Sequence, residues 1–289
     1  MNKHKISKGI QLLFSYMFLI SMVIVILFPL FVTVMSAFNV SNSLYSATLI
    51  PERFDWVHNF KELFRTTEYL SWYRNTFFIA IVVMIISTTI ITISGFIYSR
   101  KRYKTRKGSL MTLLLIQIIP SGSALIALYA IASSLGIYNS SNSTQLTYLY
   151  MILIYVAGST TMNTIIMKGY YDSIPRDLDE SAQIDGATQW QVFRQILIPL
   201  VKPMIAVTAL FCFLGPIQDV IMPKFLINSL ASADTTLALG LQDLITDPTN
   251  AKFNLFAAGA ILAAIPPVIL FYKLQKHIVS GLASGGVKG

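Results

Sequence analysis

The sequence predicts an all-α integral membrane protein of six transmembrane helices with both termini in the cytoplasm. Three observations carry that expectation. Of the 289 residues, 54% are hydrophobic and 12% are charged, about half the charged share usual in a soluble globular chain. The apolar residues fall in blocks of about 20, the length a helix needs to cross hydrocarbon at about 1.5 Å per residue. The net charge of +9 is concentrated: six of the 22 basic residues lie in RKRYKTRK (100–107), and Lys3, Lys5 and Lys8 open the chain.

Taken in order, the first span is read over 11–36, behind the basic start KHKISK. Its apolar run from Ile10 to Phe38 is too long for a signal-peptide core and ends without a small-residue cleavage site, so it is read as a retained span. The next five are read over 76–98, 109–132, 145–167, 200–222 and 254–275. The fourth carries Ser159, Thr160, Thr161 and Asn163, polar groups of the kind that pack helices together inside a bundle. Pro29, Pro120, the Gly215-Pro216 pair and Pro266-Pro267 predict kinks, tolerable where neighbouring helices satisfy the freed carbonyls. Orientation follows from Lys and Arg in the short loops. The 99–108 loop has six basic residues and no acid, 133–144 has no charge, and 37–75 balances four bases with four acids. The cytoplasmic pieces are therefore 1–10, 99–108, 168–199 and 276–289.

Composition and spacing speak against several function classes. The basic charge follows topology rather than forming a nucleic-acid footprint. Cys212 is the single cysteine, read as a small buried hydrophobe, and His4, His58 and His277 lack metal-ligand spacing. No metal or cofactor is expected. No facing cluster of His, Asp or Cys suggests a membrane-embedded enzyme. An ion-coupled secondary transporter would bury ionisable groups near mid-membrane, and Asp219, near the outer end of span five, is the sole candidate. The 289-residue sequence also lacks a G-x-x-x-x-G-K-[ST] loop, so ATP phosphates have no cradle of that type.

One stretch stands apart from the greasy background. Residues 173–199 predict two short helices with legible punctuation. Pro175 suits a first turn, and Asp177, Asp179 and Glu180 set negative charge near the positive end of the helix dipole. Asp185-Gly186 reads as a stop, because glycine enters the left-handed region without a Cβ penalty. Thr188 and Gln191 predict a capping box for the second helix. Trp190, Phe193 and Leu197 line one side, and Pro199 is expected to close the element. Helices this short need packing from elsewhere to persist. That packing could come from the bundle's own cytoplasmic ends or from another protein, and residue chemistry alone leaves both open.

The same stretch, E-S-A-x-x-D-G-A-x-x-x-x-x-F-x-x-I-x-x-P, resembles the EAA motif of binding-protein-dependent ABC import permeases. Glu180, Ala182, Asp185, Gly186, Ala187, Phe193, Ile196 and Pro199 match at fixed offsets, with Ser181 in place of the first alanine and Ile198 in place of leucine. NTFFIA (75–80), the Ile119-Pro120 pair, TLALGLQ (236–242) and the ending SGLASGGVKG (280–289) are similar to the carbohydrate-uptake branch, and most of all to maltose/maltodextrin permeases of the MalG type. GPIQD (215–219) departs from the W/F-N-D motif of many sugar permeases; Asp219 is kept and the aromatic-Asn pair is not.

The resemblance implies a type I ABC importer permease fold and a multi-pass protein of the cell membrane. It implies an N-terminal segment with the first span and an outer loop (1–70), a transmembrane core of spans two to six (71–276), and a cytoplasmic tail (277–289). Residues 173–199 would be coupling helices seated on a cytoplasmic ABC ATPase dimer. In that role Glu180 makes polar contacts with the ATPase, Gly186 sets the angle between helices, and Ser181, Ala182, Asp185 and Ala187 belong to the same ATPase-coupling set. Trp190 and Phe193 are apolar anchors, with Ile196 and Pro199 completing the motif. Gly285, Gly286, Val287, Lys288 and Gly289 would form a tail inserted between the ATPases. The remaining implied partners are a second homologous permease, an extracellular or periplasmic sugar-binding protein, an oligosaccharide and the lipid bilayer. The chain itself would not be an enzyme. Its cargo would be maltodextrin-like; a galacto-oligosaccharide is the alternative, and ion-coupled transport a more distant one.

Overall fold

Proline and apolar length together decide where this chain forms continuous rods. The computed structural model describes residues 3–40, 53–118, 121–227, 231–247 and 249–285, with the backbone alone at 3–10, 121, 123 and 277–285. Its helices are α1 (Lys3–Ala37), α2 (His58–Thr66), α3 (Tyr69–Arg100), α4 (Arg106–Ile116), α5 (Ser121–Ser134), α6 (Ser143–Asp172) and α7 (Asp177–Ile184). They continue with α8 (Gln189–Gln191), α9 (Ile198–Gln218), α10 (Ile221–Leu226), α11 (Leu237–Thr246) and α12 (Phe253–Gly285). A π-helical stretch, Val192–Leu197, joins α8 to α9, so Gln189–Gln218 is one rod.

Five described segments are long and apolar enough to cross a membrane: Gln11–Ala37, Tyr69–Arg100, Ser143–Asp172, Gln189–Gln218 and Phe253–Lys276. The third expected span, 109–132, is instead described as two helices, α4 and α5, with Ile119 and Pro120 outside the described residues. The 11 residues of α4 reach only about 16 Å. The fifth expected span, 200–222, ends at Gln218 and restarts at Ile221.

The chain forms two compact units. One comprises 1–67 and 241–262. There the fully buried Asn59 amide donates to the carbonyls of Ala37 (2.9 Å) and Asn39 (2.7 Å), while its Oδ1 accepts from the Asn254 amide at 3.0 Å. Phe38, Phe54 and Trp56 cluster beside it, with ring centroids 4.7–5.4 Å apart. Asp55 accepts the amides of Val57 and His58, which hold its carboxyl below the usual carboxylate range.

The other unit, 68–240 with 263–289, is organised around α3 packed on α6 and α9. The expectation that span-four polar groups serve packing is met at Ser159, whose hydroxyl donates to Ser87 Oγ of α3 at 2.9 Å. Gly95 makes the crossing close: a Cβ there would lie 2.6 Å from Met167 Cγ. Cys212 is buried, as its place in an apolar run suggested.

At the opposite end of α3, two of the sequence motifs meet. Trp72 Nε1 donates to the Ser232 carbonyl (2.8 Å), Asn75 to that of Ala233 (2.9 Å), and the Leu237 amide to Thr76 Oγ1 (2.7 Å). Tyr148 adds a hydroxyl bond to the Asp234 carbonyl at 2.7 Å. Thr76 of NTFFIA thus holds Leu237 at the start of TLALGLQ, and Gly240 packs directly against Trp72. A Cβ at Gly240 would sit 2.4 Å from the Trp72 ring, a rigid neighbour that cannot swing aside. Gly240→Ala is expected to cost about 1–3 kcal/mol and to lower the thermal unfolding midpoint of the purified full chain. An unchanged midpoint would mean that the ring moves freely.

Candidate functional site

The hairpin 173–199 is built by local chemistry that the sequence announces. Asp185 caps α7, and Gly186 follows with φ +86°. The Gly186 amide donates to the Gln183 carbonyl at 3.1 Å and that of Ala187 to the Ala182 carbonyl at 2.9 Å. This pairing is a Schellman motif, which satisfies the last carbonyls of α7 and requires a left-handed residue at the glycine position. The capping box is also present: Gln191 N–H donates to Thr188 Oγ1 (3.3 Å), and Thr188 N–H to Gln191 Oε1 (2.7 Å).

Two features differ from the sequence reading. Pro199 does not close the second helix; the chain runs on through it into α9. The reason lies in the preceding turn. In the π stretch the Ile198 amide reaches back to the Phe193 carbonyl, and the widened turn accommodates a proline that lacks an N–H and crowds the turn before it. The second helix is therefore the leading end of a membrane rod and not a free-standing short helix.

The same π stretch divides the expected apolar anchors. Phe193 is only 3% exposed, with its ring 4.7 Å from Phe96, in a core that includes Ile91, Met167, Tyr171 and Leu197. Trp190 touches Phe193 at 5.3 Å but remains 61% exposed. Ala182 and Ala187 pack partly against that core, and Ile196 is half-buried. Glu180, Ser181, Asp185, Gly186 and Pro199 are exposed. Of the tail, Gly285 ends α12, and Gly286, Val287, Lys288 and Gly289 lie outside the described residues.

Sequence reasoning missed the device that holds the hairpin in place. Asp179, read as a helix-dipole partner, is buried and pairs with Arg100 at the end of α3, Oδ2 to Nε 2.6 Å, with the two side chains 11% and 6% exposed. Arg100 also donates to the Ile174 carbonyl (3.0 Å), and Arg176 donates back to the Ser99 carbonyl (3.2 Å). Ser99 Oγ donates to Asp172 Oδ1 at 2.6 Å, and Lys101 to Gln189 Oε1 at 2.9 Å. The only available signal was an acid–base pair split between two loops, and Arg100 and Lys101 were absorbed into the topology count. Ile184 was missed as well; it stands 87% exposed at the hairpin tip.

This unit also holds a half-open recess of about 540 Å³, lined among others by Tyr155, Ser159, Phe211, Cys212 and Asp219. Asp219 Oδ1 accepts the amides of Ile221 (2.9 Å) and Met222 (3.2 Å), which starts α10, and its Oδ2 accepts from the Tyr155 hydroxyl at 3.0 Å. The GPIQD departure is thus a helix break stabilised by its retained aspartate. Tyr150 donates to the Leu128 carbonyl at 2.9 Å. With Tyr148 and Tyr155 also engaged, the hydroxyls of these three α6 tyrosines have partners within the chain.

Comparison with known proteins agrees with this architecture. Residues 91–284 match the family model described as binding-protein-dependent transport system inner membrane component. The chain is 46% identical to the maltodextrin transport system permease protein MdxG of Bacillus subtilis over 276 residues, 95% of each chain. It is 43% identical to the galactooligosaccharides transport system permease protein GanQ of the same organism, over 99% of this chain and 98% of that one. The fold matches a chain in the crystal structure of a bacterial ABC transporter involved in the import of the acidic polysaccharide alginate, with TM-score 0.75 and 19% identity over 93% of this chain and 97% of that one. The protein belongs to the family of binding-protein-dependent transport system inner membrane components.

Proposed function

We propose that the chain is one permease subunit of an ATP-driven importer of maltodextrin-like oligosaccharides, providing half of the translocation pathway. The observation that carries this reading is similarity along almost the whole chain to a maltodextrin permease. Near-equal similarity to GanQ keeps galacto-oligosaccharides as the second reading. The partners in this reading are a second homologous permease, a cytoplasmic ABC ATPase dimer and a sugar-binding protein on the outer face. Both termini face the cytoplasm, and the division into 1–70, 71–276 and 277–289 follows from that arrangement.

In this reading the exposed side of the hairpin, with Glu180, Ser181, Asp185, Ile184 and Trp190, seats on the ATPase, and Gly285–Gly289 reach between the two ATPases. Ala182, Ala187, Phe193 and Ile196 tie the hairpin to its own bundle. Movement of the ATPase would pass along two tracks. One is the uninterrupted rod Gln189–Gln218, which ends beside the recess lined by Asp219. The other is the Arg100–Asp179 pair, which holds α7 to α3. Docking that differs in strength between two ATPase states biases the helices between two arrangements.

Growth tests the cargo. A deletion strain is expected to lose growth on maltodextrins and to keep it on glucose, with the plasmid-borne gene restoring it. Loss confined to galacto-oligosaccharides would favour the second reading. The same plasmid carrying Gly186→Val tests the coupling. A β-branched residue at φ +86° is strained by about 1–2 kcal/mol, so uptake should fall while the chain still inserts. Normal uptake by this variant would exclude a role for the hairpin angle.

A further inference from the structure

The basic loop that follows α3 does more than mark topology. Between this loop, the start of α4 and the end of α6 lies a recess of about 460 Å³ lined by Arg102, Tyr103, Lys104, Arg106, Lys107 and Lys168. Five of these six side chains are cations. Among the described residues, Arg102, Lys104, Arg106 and Lys107 form no ion pair, and Lys168 alone is paired, with Asp172. Arg106 is half-buried, and its Nε is buried with no hydrogen-bond acceptor among the described residues. A guanidinium N–H closed off from water and left without an acceptor is costly. Asp172, paired with Lys168 and close enough to Arg106 to feel its charge, is one carboxylate against five cations, so the recess keeps an excess of positive charge that favours a further anion.

The walls identify which anion. Leu110 of α4 also lines the recess, and one turn further Leu114 is 48% exposed, with Met111, Leu115 and Ile116 between 50% and 58%. No residue of α4 is buried. Tyr103, backed by Tyr98 at 6.3 Å, supplies the amphipathic ring typical of the membrane–water boundary. A cationic bowl that opens onto an uncovered apolar helix matches an amphiphile with an anionic head and hydrocarbon tails.

We infer that this recess binds the phosphate headgroup of an anionic phospholipid, whose acyl chains lie along α4. Arg102 and the outer guanidinium nitrogens of Arg106 donate to the phosphate oxygens; Lys104, Lys107 and Lys168 supply charge around them. Basic pockets between membrane helices recognise headgroups by this combination of point charges and fixed donors. The site is separate from the hairpin's exposed tip, and the inference does not depend on which sugar is carried.

The test uses the full chain purified in detergent, alone and with its co-purifying subunits. Each sample is titrated with dioleoylphosphatidylglycerol, dioleoylphosphatidylcholine or inorganic phosphate, and bound lipid is counted by native mass spectrometry. Phosphatidylglycerol is expected to be retained about tenfold better than phosphatidylcholine and to resist displacement by inorganic phosphate. R102Q/R106Q/K107Q is expected to erase the preference; it keeps Arg100, Lys101 and Lys104, so the loop remains basic. K104Q/K107Q changes only exposed lysines and is expected to reduce the preference about threefold, which keeps the test decisive should the triple variant misfold. K224Q, at a lysine outside the recess, is expected to leave it unchanged. The inference is overturned by equal retention of both lipids, by a preference that survives in both recess variants, or by an equal loss in K224Q. Displacement by inorganic phosphate would make it a free-anion site. Phosphatidylglycerol bound by the lone chain but expelled by the other subunits would make it a protein-docking surface.

Discussion

Replacing Arg100 with leucine is expected to unseat the hairpin and abolish uptake. The pair it forms with Asp179 is almost fully enclosed, and removing one partner of such a pair strands the other charge, at a cost of about 3–5 kcal/mol. The loss is larger in consequence than in magnitude, because Arg100 also donates to the Ile174 carbonyl at the hairpin's entry. Asp179→Leu should do similar damage by leaving the guanidinium without its carboxylate. The double variant R100L/D179L removes both charges together and should regain much of the lost stability, since apolar replacements of a buried ion pair are often neutral. The measurement is a double-mutant cycle on thermal unfolding, followed through tryptophan fluorescence, with uptake assayed in parallel. A coupling energy of about 2 kcal/mol or more is the expected result. Additive single effects would show that the two side chains do not act as a unit.

This pair also shows where sequence reading reached its limit. Features set by neighbours a few residues apart were legible. Gly186 occupies a left-handed turn, and Thr188 with Gln191 forms the reciprocal cap, both as spacing predicted. Asp179 does lie in the first turn of α7, as read from the sequence, but its ion-pair partner Arg100 lies on another span, beyond the reach of local spacing. The apolar stripe Trp190, Phe193, Leu197 assumed a uniform α-helical period. The π stretch across Val192–Leu197 changes that period, so Phe193 and Leu197 enter the core while Trp190 remains outside.

The membrane spans followed the same division. Long apolar blocks fixed four of the predicted helices to within a few residues at most ends, because lipid leaves the backbone few alternatives to a helix. The third span, read over 109–132, is described as two helices, Arg106–Ile116 and Ser121–Ser134, a division that a hydropathy window does not register. The α9–α10 break was hidden likewise. Asp219 is a poor membrane residue by composition, yet it accepts two amides and a tyrosine hydroxyl at the break. Only the fold reveals those donors.

The second large effect is expected at the hairpin tip, where Ile184→Asp and Trp190→Asp should each prevent the ATPase from co-purifying. Ile184 is 87% exposed and Trp190 61%, so neither contributes much burial to its own chain. A carboxylate at either position should therefore leave the unfolding midpoint within about 0.5 kcal/mol of the parent protein. If a partner covers these side chains, the same substitution buries a charge in an apolar pocket and removes a large contact, and central interface residues of this kind are worth about 2 kcal/mol or more each. That corresponds to an affinity loss of about thirtyfold or more. Glu180→Lys, on the same exposed surface, should weaken association by a smaller factor, as charges at an interface rim usually do. The contrast with Arg100 separates the two roles of this element. Arg100→Leu lowers stability first and assembly as a consequence; Ile184→Asp lowers assembly at constant stability. An Ile184→Asp chain that retained its ATPase in full would place the docking surface elsewhere and leave the exposed isoleucine without a partner to explain it.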